Sequence, residues 1–300
     1  MAAERLRPAR AVRVQPAPPG IDERDVQAAV QRAPAARAGA VSDGQAGLAE
    51  LLRGAQRVLF FTGAGISTGS GIADYRGPDG LWKTRRPVEF REFMESAAAR
   101  VEYWDQKLEV WPQIRDASPN PTHLAIVRFE RAGRVAAVVT QNIDGLHRKA
   151  GTSAELLVEL HGSNLEVECM ACHATSDPEV HFAAFASSRE PPRCSACGGP
   201  LKPATISFGQ SLRERDLSRA VAAARHTDLV VALGSSLSVH PAASIPLLAV
   251  ERGVPYVVVN RGRTEHDDLA GLTLRIDGDT SEVLPPAVDA ALAPPPSRPT

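Results

Sequence analysis

The sequence has few residues of the kinds that mark a secreted or membrane protein. Its 300 residues include only four cysteines, too few for a small scaffold held together by disulfides. It has no apolar run near the roughly 20 residues that a bilayer-spanning helix needs. It also lacks an excess of positive charge, since 34 Lys and Arg residues face 35 Asp and Glu residues. This balance argues against a chain-wide basic surface for nucleic acid.

What remains is the composition of an ordinary globular chain, 43% apolar and 23% charged. Residues 1–42 depart from it, because they combine several prolines and scattered arginines with no apolar periodicity. We predict a disordered tail there and another over residues 293–300. A mitochondrial transit peptide is the alternative for residues 1–42, but their acidic residues and prolines disfavour it. The missing targeting signal and the thiol usage favour a cytoplasmic location.

Between the tails, apolar strand patterns alternate with helical patterns. Helices are predicted over 42–54, 91–111, 121–133, a stretch ending near 225, 244–253 and 281–292. Strands are predicted over 57–63, 135–141, 156–162, 204–209, 228–234, 256–260 and 272–276. Strands joined by helical crossovers predict an α/β fold with a Rossmann-like, doubly wound parallel sheet.

The four cysteines form two C-x2-C pairs within a stretch that breaks this alternation. The pairs are Cys169 with Cys172 and Cys194 with Cys197. This spacing predicts one Zn²⁺ ion held by four thiolates, which is a structural site because no ligand position stays open. Two disulfides are the alternative. We predict a small zinc-binding module over residues 165–203, inserted into the α/β domain.

The first strand ends in a glycine-rich turn, Gly63-Ala64-Gly65, followed by Ile66-Ser67. Such a turn is typical of dinucleotide binding, where glycines admit the pyrophosphate and the next helix offers its N-terminus. An ordinary glycine turn is the alternative. The loop that continues it, GSGIADYRGPDGLW over residues 69–82, is rich in Gly and polar residues. Loops of this kind at the carboxyl ends of parallel strands bind ligands.

Other polar segments also follow predicted strands. TQNIDGLH at 140–147 offers two amides and a carboxylate, and His161 stands at the end of another strand. A histidine is the common general base near neutral pH. GSSLSVHPA at 234–242 and NRG at 260–262 have residues suited to ribose and adenine. Each segment alone could equally be a turn, and a lone histidine is more often structural.

Together these motifs resemble the sirtuin family of NAD-dependent protein-lysine deacylases, in the family's order and over residues 43–292. The resemblance implies a Rossmann-type domain and a zinc-ribbon domain with a cleft between them. By resemblance, Phe208 and Gly209 would flank the acyl-lysine and Asn142 would share catalysis with His161. The residues implied for NAD are Gly63, Ala64, Gly65 and Ser67 at the pyrophosphate; Asp74, Tyr75, Arg76 and Trp82 in the cofactor loop; Gln141, Asn142 and Asp144 at the ribose and nicotinamide; and Gly234, Ser235, Ser236, Asn260 and Arg261 at the adenosine.

The reaction implied by the resemblance consumes NAD as a co-substrate. The acyl oxygen of the modified lysine attacks the nicotinamide ribose and expels nicotinamide. His161 then acts as general base through the ribose hydroxyls, giving free lysine and O-acyl-ADP-ribose. The implied partners are acylated-lysine proteins or peptides, with no direct role for nucleic acid or a membrane.

Three other functions compete with this interpretation. The same site would support mono-ADP-ribosyl transfer if a protein nucleophile reached the ribose. A zinc ribbon that binds nucleic acid predicts basic residues around the cysteines, whereas residues 165–203 have five acidic residues against three Lys and Arg. A hydride-transferring oxidoreductase expects an acid directly at the end of the second strand, and here Asp144 lies deeper in a loop.

Overall fold

The computed structural model describes residues 41–74 and 86–294 of the chain. The predicted tails, up to residue 40 and from residue 295, lie outside the described residues. So do Tyr75, Arg76 and Trp82 of the predicted cofactor loop. No helix in the described part of the chain is long and apolar enough to cross a membrane.

The described chain alternates strands and helices, as the sequence predicts. The strands are β1 (Val58–Thr62), β2 (Val135–Thr140), β3 (Leu157–Glu159), β4 (Gly162–Cys169), β5 (Thr175–Ser176), β6 (Leu201–Thr205), β7 (Leu229–Leu233), β8 (Tyr256–Asn260) and β9 (Leu274–Asp277). The α-helices are α1 (Val41–Gly54), α2 (Phe90–Glu95), α3 (Ala97–Asp116), α4 (Pro121–Arg131), α5 (Leu146–Ala150), α6 (Pro178–Ser188), α7 (Glu214–His226), α8 (Leu247–Val250) and α9 (Thr280–Leu292).

The large sheet has the strand order β3-β2-β1-β7-β8-β9. Its strands are all parallel. Every residue of β1, β7 and β8 is buried, as expected of strands covered on both faces. This confirms the Rossmann-like parallel sheet.

The strand order reverses beside β1. The chain adds β2 and β3 on one side of β1 and then crosses over to add β7, β8 and β9 on the other. In open parallel sheets, ligands bind outside the carboxyl ends of the strands at such a reversal. The edge formed by Thr62, Thr140 and Leu233 is therefore the expected position of a site.

Helices cover both faces of this sheet, each over its own apolar core. On one face, Leu52 of α1, Phe129 of α4 and Leu284 of α9 are fully buried in one cluster. On the other face, Ala220 of α7 and Ala249 of α8 are fully buried in a second cluster. The large sheet is thus held by apolar contacts on both sides.

A second, antiparallel sheet with the order β5-β4-β6 holds the cysteines. Its core is aromatic: Trp111 of α3 stacks on Phe182 of α6 with ring centroids 4.5 Å apart. The Trp104 indole of α3 donates to the Leu201 carbonyl at 3.0 Å. Helix α3 therefore packs on the cysteine sheet although it precedes β2 in the chain.

Several predicted elements were wrong in position or extent. The strand predicted over 204–209 is β6, which ends at Thr205 and belongs to the small sheet, because Lys202 and Pro203 conceal the apolar pattern. The helix predicted over 91–111 is two helices separated at Ser96, whose hydroxyl caps α3 at 3.2 Å from the Ala99 amide. The helix predicted over 244–253 is only the short α8, preceded by a 3-10 turn.

Candidate active site

The glycine turn after β1 packs directly against the backbone that follows β7. The Gly65 amide donates to the Gly234 carbonyl at 2.8 Å. A Cβ on Gly63 would lie 2.8 Å from that carbonyl oxygen, which is closer than real Cβ atoms approach. Gly234 has φ of +59°, a conformation that favours glycine. Two of the predicted motifs therefore meet here, and both need glycine for the contact.

No α-helix follows this turn directly. The chain instead makes two 3-10 turns, Ala64–Ile66 and Thr68–Ser70. Gly71 ends the second turn at φ of +82°. Glycines at this spacing disfavour a continuous helix, because each costs conformational entropy. The donors at this turn are individual backbone amides rather than the end of a long helix.

Ser67, Asn142 and Asp144 form one buried network at the edge of the sheet. The Ser67 hydroxyl donates to Asp144 Oδ2 at 2.7 Å and accepts from Asn142 Nδ2 at 3.1 Å. Asn142 Nδ2 also donates to the Gly63 carbonyl at 3.1 Å. Burial raises the pKa of the Asp144 carboxyl, and the Leu146 amide opposes this rise by donating to it. The loop after β2 thereby fixes the glycine turn after β1.

Gln141 connects the two sides of the strand reversal. Its Nε2 donates to Ser235 Oγ, after β7, at 2.9 Å. Its backbone carbonyl lies 2.9 Å from His161 Nδ1. A carbonyl only accepts hydrogen bonds, so His161 carries its proton on Nδ1 and presents the Nε2 lone pair. This is the tautomer that a general base requires.

His161 lies where the chain passes from the large sheet to the small one. It is half-buried and stands between the end of β3 and the start of β4. Its carbonyl accepts from the Ile206 amide at 2.8 Å, just after β6. A Cβ on the next residue, Gly162, would lie 2.0 Å from the Ala204 carbonyl oxygen. The strand predicted over 156–162 was therefore wrong at its end: two strands meet at this histidine.

Phe208 and Gly209 follow β6 on the same side of the molecule. The Phe208 carbonyl accepts from the Phe90 amide at the start of α2, at 2.9 Å. The Phe208 side chain is 44% exposed, unusual for a large apolar residue. Gly209 has φ of +76°. An exposed aromatic ring thus stands beyond Ile206, two residues from the backbone contact with His161.

The segment predicted for adenosine lies after β7 and β8. Asn260 is buried, and its Nδ2 donates to the Arg261 carbonyl at 2.8 Å and to the Gly262 carbonyl at 3.2 Å. The Arg261 guanidinium pairs with Asp279 at 2.8 Å. Ser236 bonds Ser238 at 2.8 Å. These residues flank Ser235, which Gln141 already ties to the centre of the site.

The four cysteines form a compact cluster away from the sheet edge. Their sulfur atoms all lie within 4.8 Å of one another, and the thiols are not joined as disulfides. The Ala171 amide points to Cys169 Sγ and the Gly199 amide to Cys197 Sγ, each at 3.4 Å. Four sulfurs supported by amide donors fit one tetrahedral Zn²⁺ ion.

The structure adds polar residues that the sequence analysis did not assign to the site. Asn120, 5% exposed, donates from Nδ2 to the Ile66 carbonyl at 2.6 Å. Buried His147 contacts Thr62, at the end of β1, with Nε2 and Oγ1 3.0 Å apart. The signal for Asn120 was its place before Pro121 at a helix start, which also fits a simple cap.

A Rossmann-like sheet with a polar cleft at its reversal and an inserted four-cysteine module defines the class of this protein. The chain matches the model of the Sir2 family over residues 63–241. An NAD-dependent protein deacetylase of Rhodopseudomonas palustris is 41% identical over 241 residues, 80% of this chain and 95% of that protein. NAD-dependent protein deacylase 2 of Archaeoglobus fulgidus is 40% identical over 242 residues, with 80% and 93% covered.

Solved Sir2 structures show the same fold. One, from work on the structural basis for the mechanism and regulation of Sir2 enzymes, has a TM-score of 0.72 and is 38% identical. The match covers 83% of this chain and 98% of that one. Another contains a deacetylated p53 peptide and 3′-O-acetyl ADP-ribose, with a TM-score of 0.72 and 34% identity, covering 79% and 94%. The chain belongs to the Sir2, or sirtuin, family.

Proposed function

We propose that this protein is an NAD-dependent protein-lysine deacetylase. It transfers the acyl group of a modified lysine to ADP-ribose and releases nicotinamide. One observation carries the proposal: His161, the Ser67–Asn142–Asp144 network and the glycine turn share the reversal edge of the sheet in a Sir2-family chain. The deacetylated peptide and acetyl-ADP-ribose in a related Sir2 structure support the same chemistry.

The cleft has the features that NAD needs. Gly63, Gly65 and Gly234 expose backbone at the turn where a pyrophosphate would lie, and side chains there would block the approach. Gln141 and Asn142 offer amides for ribose and nicotinamide, and Ser235, Ser236 and Asn260 lie on the adenosine side. When bound, NAD supplies a glycosidic bond to nicotinamide and a ribose that accepts the acyl group.

His161 has the geometry of the general base. The Gln141 carbonyl fixes the proton on Nδ1, so Nε2 is the atom that accepts a proton from a ribose hydroxyl. Backbone hydrogen bonds at His161 and at the residue before it hold this position between the two sheets. His161 can therefore accept a proton at Nε2 without first changing its tautomer.

The buried network next to it excludes water and fixes orientation. Asn142 and Asp144 are 6% and 5% exposed, and both are committed to Ser67. Holding polar groups in a dry, prearranged site favours attack by a positioned acyl oxygen over attack by water. We assign Asn142 to orientation of the ribose and nicotinamide.

The acyl-lysine would enter past Phe208 and Gly209, where the exposed ring offers an apolar wall for the lysine stem. The substrate class is an acylated-lysine protein or peptide, in line with related Sir2 structures that contain p53 peptides. The domain limits 43–292, the module 165–203 and the cytoplasmic location stay predictions.

Product stoichiometry tests the proposal. The full chain is incubated with NAD and an acetyl-lysine peptide, and nicotinamide, free-lysine peptide and acetyl-ADP-ribose are quantified by mass spectrometry. We expect equal amounts of the three products and no nicotinamide release without acetyl-peptide. Nicotinamide release with ADP-ribose attached to protein, and with the acetyl-peptide intact, would instead indicate mono-ADP-ribosyl transfer.

A further inference from the structure

Asn120 joins the first turn of α4 to the two 3-10 turns, Ala64–Ile66 and Thr68–Ser70, that follow β1. Its side chain is 5% exposed and directly precedes Pro121. On one side, Oδ1 accepts from the Thr122 amide at 3.0 Å, which caps the helix. On the other side, Nδ2 donates to the Ile66 carbonyl at 2.6 Å and to Ser70 Oγ at 3.0 Å. All of these partners are more than 45 residues away in sequence or within the helix start.

Chemistry fixes the orientation of this amide. A backbone N–H only donates, so the atom facing Thr122 must be the oxygen of Asn120. A backbone carbonyl only accepts, so the atom facing Ile66 must be the nitrogen. The two ends of one amide therefore carry two separate tasks, helix capping and attachment of the turn.

The segment that Asn120 holds is attached at several points, among them the Gly71 carbonyl, which accepts from Gln113 Nε2 of α3. Ser67 is fixed from the β2 side by Asn142 and Asp144, whereas Ser70 lies on the opposite flank. Gly69, between them, packs closely against Asn120: a Cβ there would lie 3.3 Å from Nδ2. The bonds to Ile66 and Ser70 thus hold the backbone from the end of the first 3-10 turn to the end of the second.

Two neutral histidines connect Asn120 to the end of β1. His123 Nδ1 lies 3.1 Å from Asn120 Oδ1, and the His123 ring meets the His147 ring edge-on with centroids 4.9 Å apart. His147 in turn contacts Thr62 at the end of β1. Burial lowers the pKa of His123 to about 4, so the ring stays neutral near neutral pH. Asn120 is therefore connected, through these two histidines, to β1, the strand that precedes the glycine turn.

We propose that Asn120 is a positioning residue for NAD, acting through the Ile66 carbonyl and the Ser70 hydroxyl. It presets the turn that receives the pyrophosphate and leaves the acyl-lysine path untouched. This inference rests on the proposed function, because it assigns the turn to NAD.

Asn120→Asp separates the two tasks of the amide. Aspartate caps helices as well as asparagine does, so the bond from Thr122 is kept. Its second oxygen, however, faces the Ile66 carbonyl, so a donor is replaced by an anionic acceptor that repels the partially negative carbonyl oxygen. Asn120→Ser is the second variant, since it keeps a cap and cannot reach Ile66. The matched control is Asp177→Asn, the reverse exchange at the cap of α6, where Asp177 accepts from the Glu179 amide at 2.8 Å.

We expect Asn120→Asp to raise the KM for NAD about tenfold or more, as expected for a buried carbonyl left without its donor. The KM for an acetyl-lysine peptide, measured at saturating NAD, should stay near the wild-type value, whereas the melting temperature without NAD should fall, because the variant buries a carboxylate beside a carbonyl. Asn120→Ser should show a smaller rise in the KM for NAD and a smaller fall in melting temperature, and Asp177→Asn neither. A KM for NAD within about twofold of wild type in Asn120→Asp, or equal losses for both substrates, would overturn the proposal.

Calorimetric titration with NAD keeps this test separate from the proposed function. If the wild-type chain binds NAD without deacetylating peptide, the deacetylase proposal fails, and Asn120 is still judged by the ratio of dissociation constants. A weaker Kd for NAD in Asn120→Asp supports the positioning role, and an unchanged Kd refutes it.

Discussion

The large sheet and the cysteine module are stabilised by different physical means. The large sheet buries continuous apolar strands between two layers of helices. The module has a small antiparallel sheet, an aromatic cluster and four neighbouring thiols, two of which are exposed. Apolar burial of the first kind is sufficient for a domain of this size, whereas small modules usually need a metal or disulfides. The module therefore depends on its ligands, and the sheet does not.

Their interiors also differ in charge. Lys202, fully buried in the module, has a pKa lowered by burial to about 7, and neighbouring Lys107 one lowered to about 8. In the described part of the chain, neither ammonium has a carboxylate within ion-pairing distance. Lys202 Nζ donates to the Pro203 and Thr205 carbonyls, and Asp144, the buried acid of the sheet edge, accepts from Ser67 and Leu146. Burial thus lowers the pKa of a cation in the module and raises the pKa of an acid at the sheet edge.

Removing one metal ligand should have the largest effect. We expect Cys172→Ala to abolish stoichiometric zinc binding and to reduce turnover by about 100-fold or more, because structural zinc contributes on the order of 10 kcal/mol to folding of such modules. Zinc is measured by elemental analysis and turnover by nicotinamide release.

The control for this variant is Ser195→Ala, between the cysteines of the second pair, which should bind one zinc per chain and stay active. Undiminished turnover in zinc-free Cys172→Ala would show that the module keeps its fold without the metal. The module would then not differ from the large sheet in depending on a ligand.

Removing the general base should be nearly as severe for activity but harmless to the fold. We expect His161→Ala to lower kcat by about 10²–10⁴-fold, the usual contribution of a positioned acid–base group. Melting temperature and NAD affinity should stay close to wild type, since the side chain is only half-buried. His226→Ala, an exposed histidine of α7, is the matched control. Retained turnover in His161→Ala would refute the assigned base.

The buried lysine should give the module a pH dependence that the sheet lacks. Between about pH 7 and 10.5, Lys202 binds fewer protons in the folded chain than in the unfolded chain. The free energy of unfolding therefore rises with pH in this window, by up to about 1.4 kcal/mol per unit for this group. Lys202→Met should flatten the rise in melting temperature between pH 7 and 9. Identical slopes in both proteins would argue against a depressed lysine pKa.

Exposed charge on the large domain should matter least. Arg263 pairs with Asp268 at 2.7 Å, but their side chains are 79% and 88% exposed. Such surface pairs contribute about 0–1 kcal/mol. We expect Arg263→Gln to leave kcat, the KM for NAD and the melting temperature unchanged. A loss of NAD affinity in this variant would extend the site further along the loop after β8 than the structure indicates.

The parallel sheet and the cysteine cluster were predictable because each has a strong local pattern. Buried strands such as β1 and β7 are continuous apolar runs, and the C-x2-C spacing fixes two ligands at a time. The strand-end motifs could also be placed at one edge, since parallel strands bring their carboxyl ends together.

The elements that the sequence misplaced depend on contacts between distant residues. Strand β6 contains Lys202 and Pro203, whose burial arises only from pairing with β4 and packing of α3. The path of the 3-10 turns after Gly63 likewise depends on bonds with Gly234, Asn142 and Asn120. The tie between Gln141 and His161 joins two motifs 20 residues apart, which no local pattern reveals.

We infer that the residues at the sheet edge perform the chemistry, whereas the four cysteines only stabilise the fold of the module. Exchange of Zn²⁺ for Cd²⁺ tests it most directly, because cadmium accepts the same four thiolates but differs from zinc as a Lewis acid. The measurement is kcat for acetyl-peptide-dependent nicotinamide release by the cadmium-loaded chain. We expect a kcat within about twofold of the zinc protein, because a site closed by four thiolates has no position open for substrate. A kcat changed by orders of magnitude, with the fold intact, would contradict it.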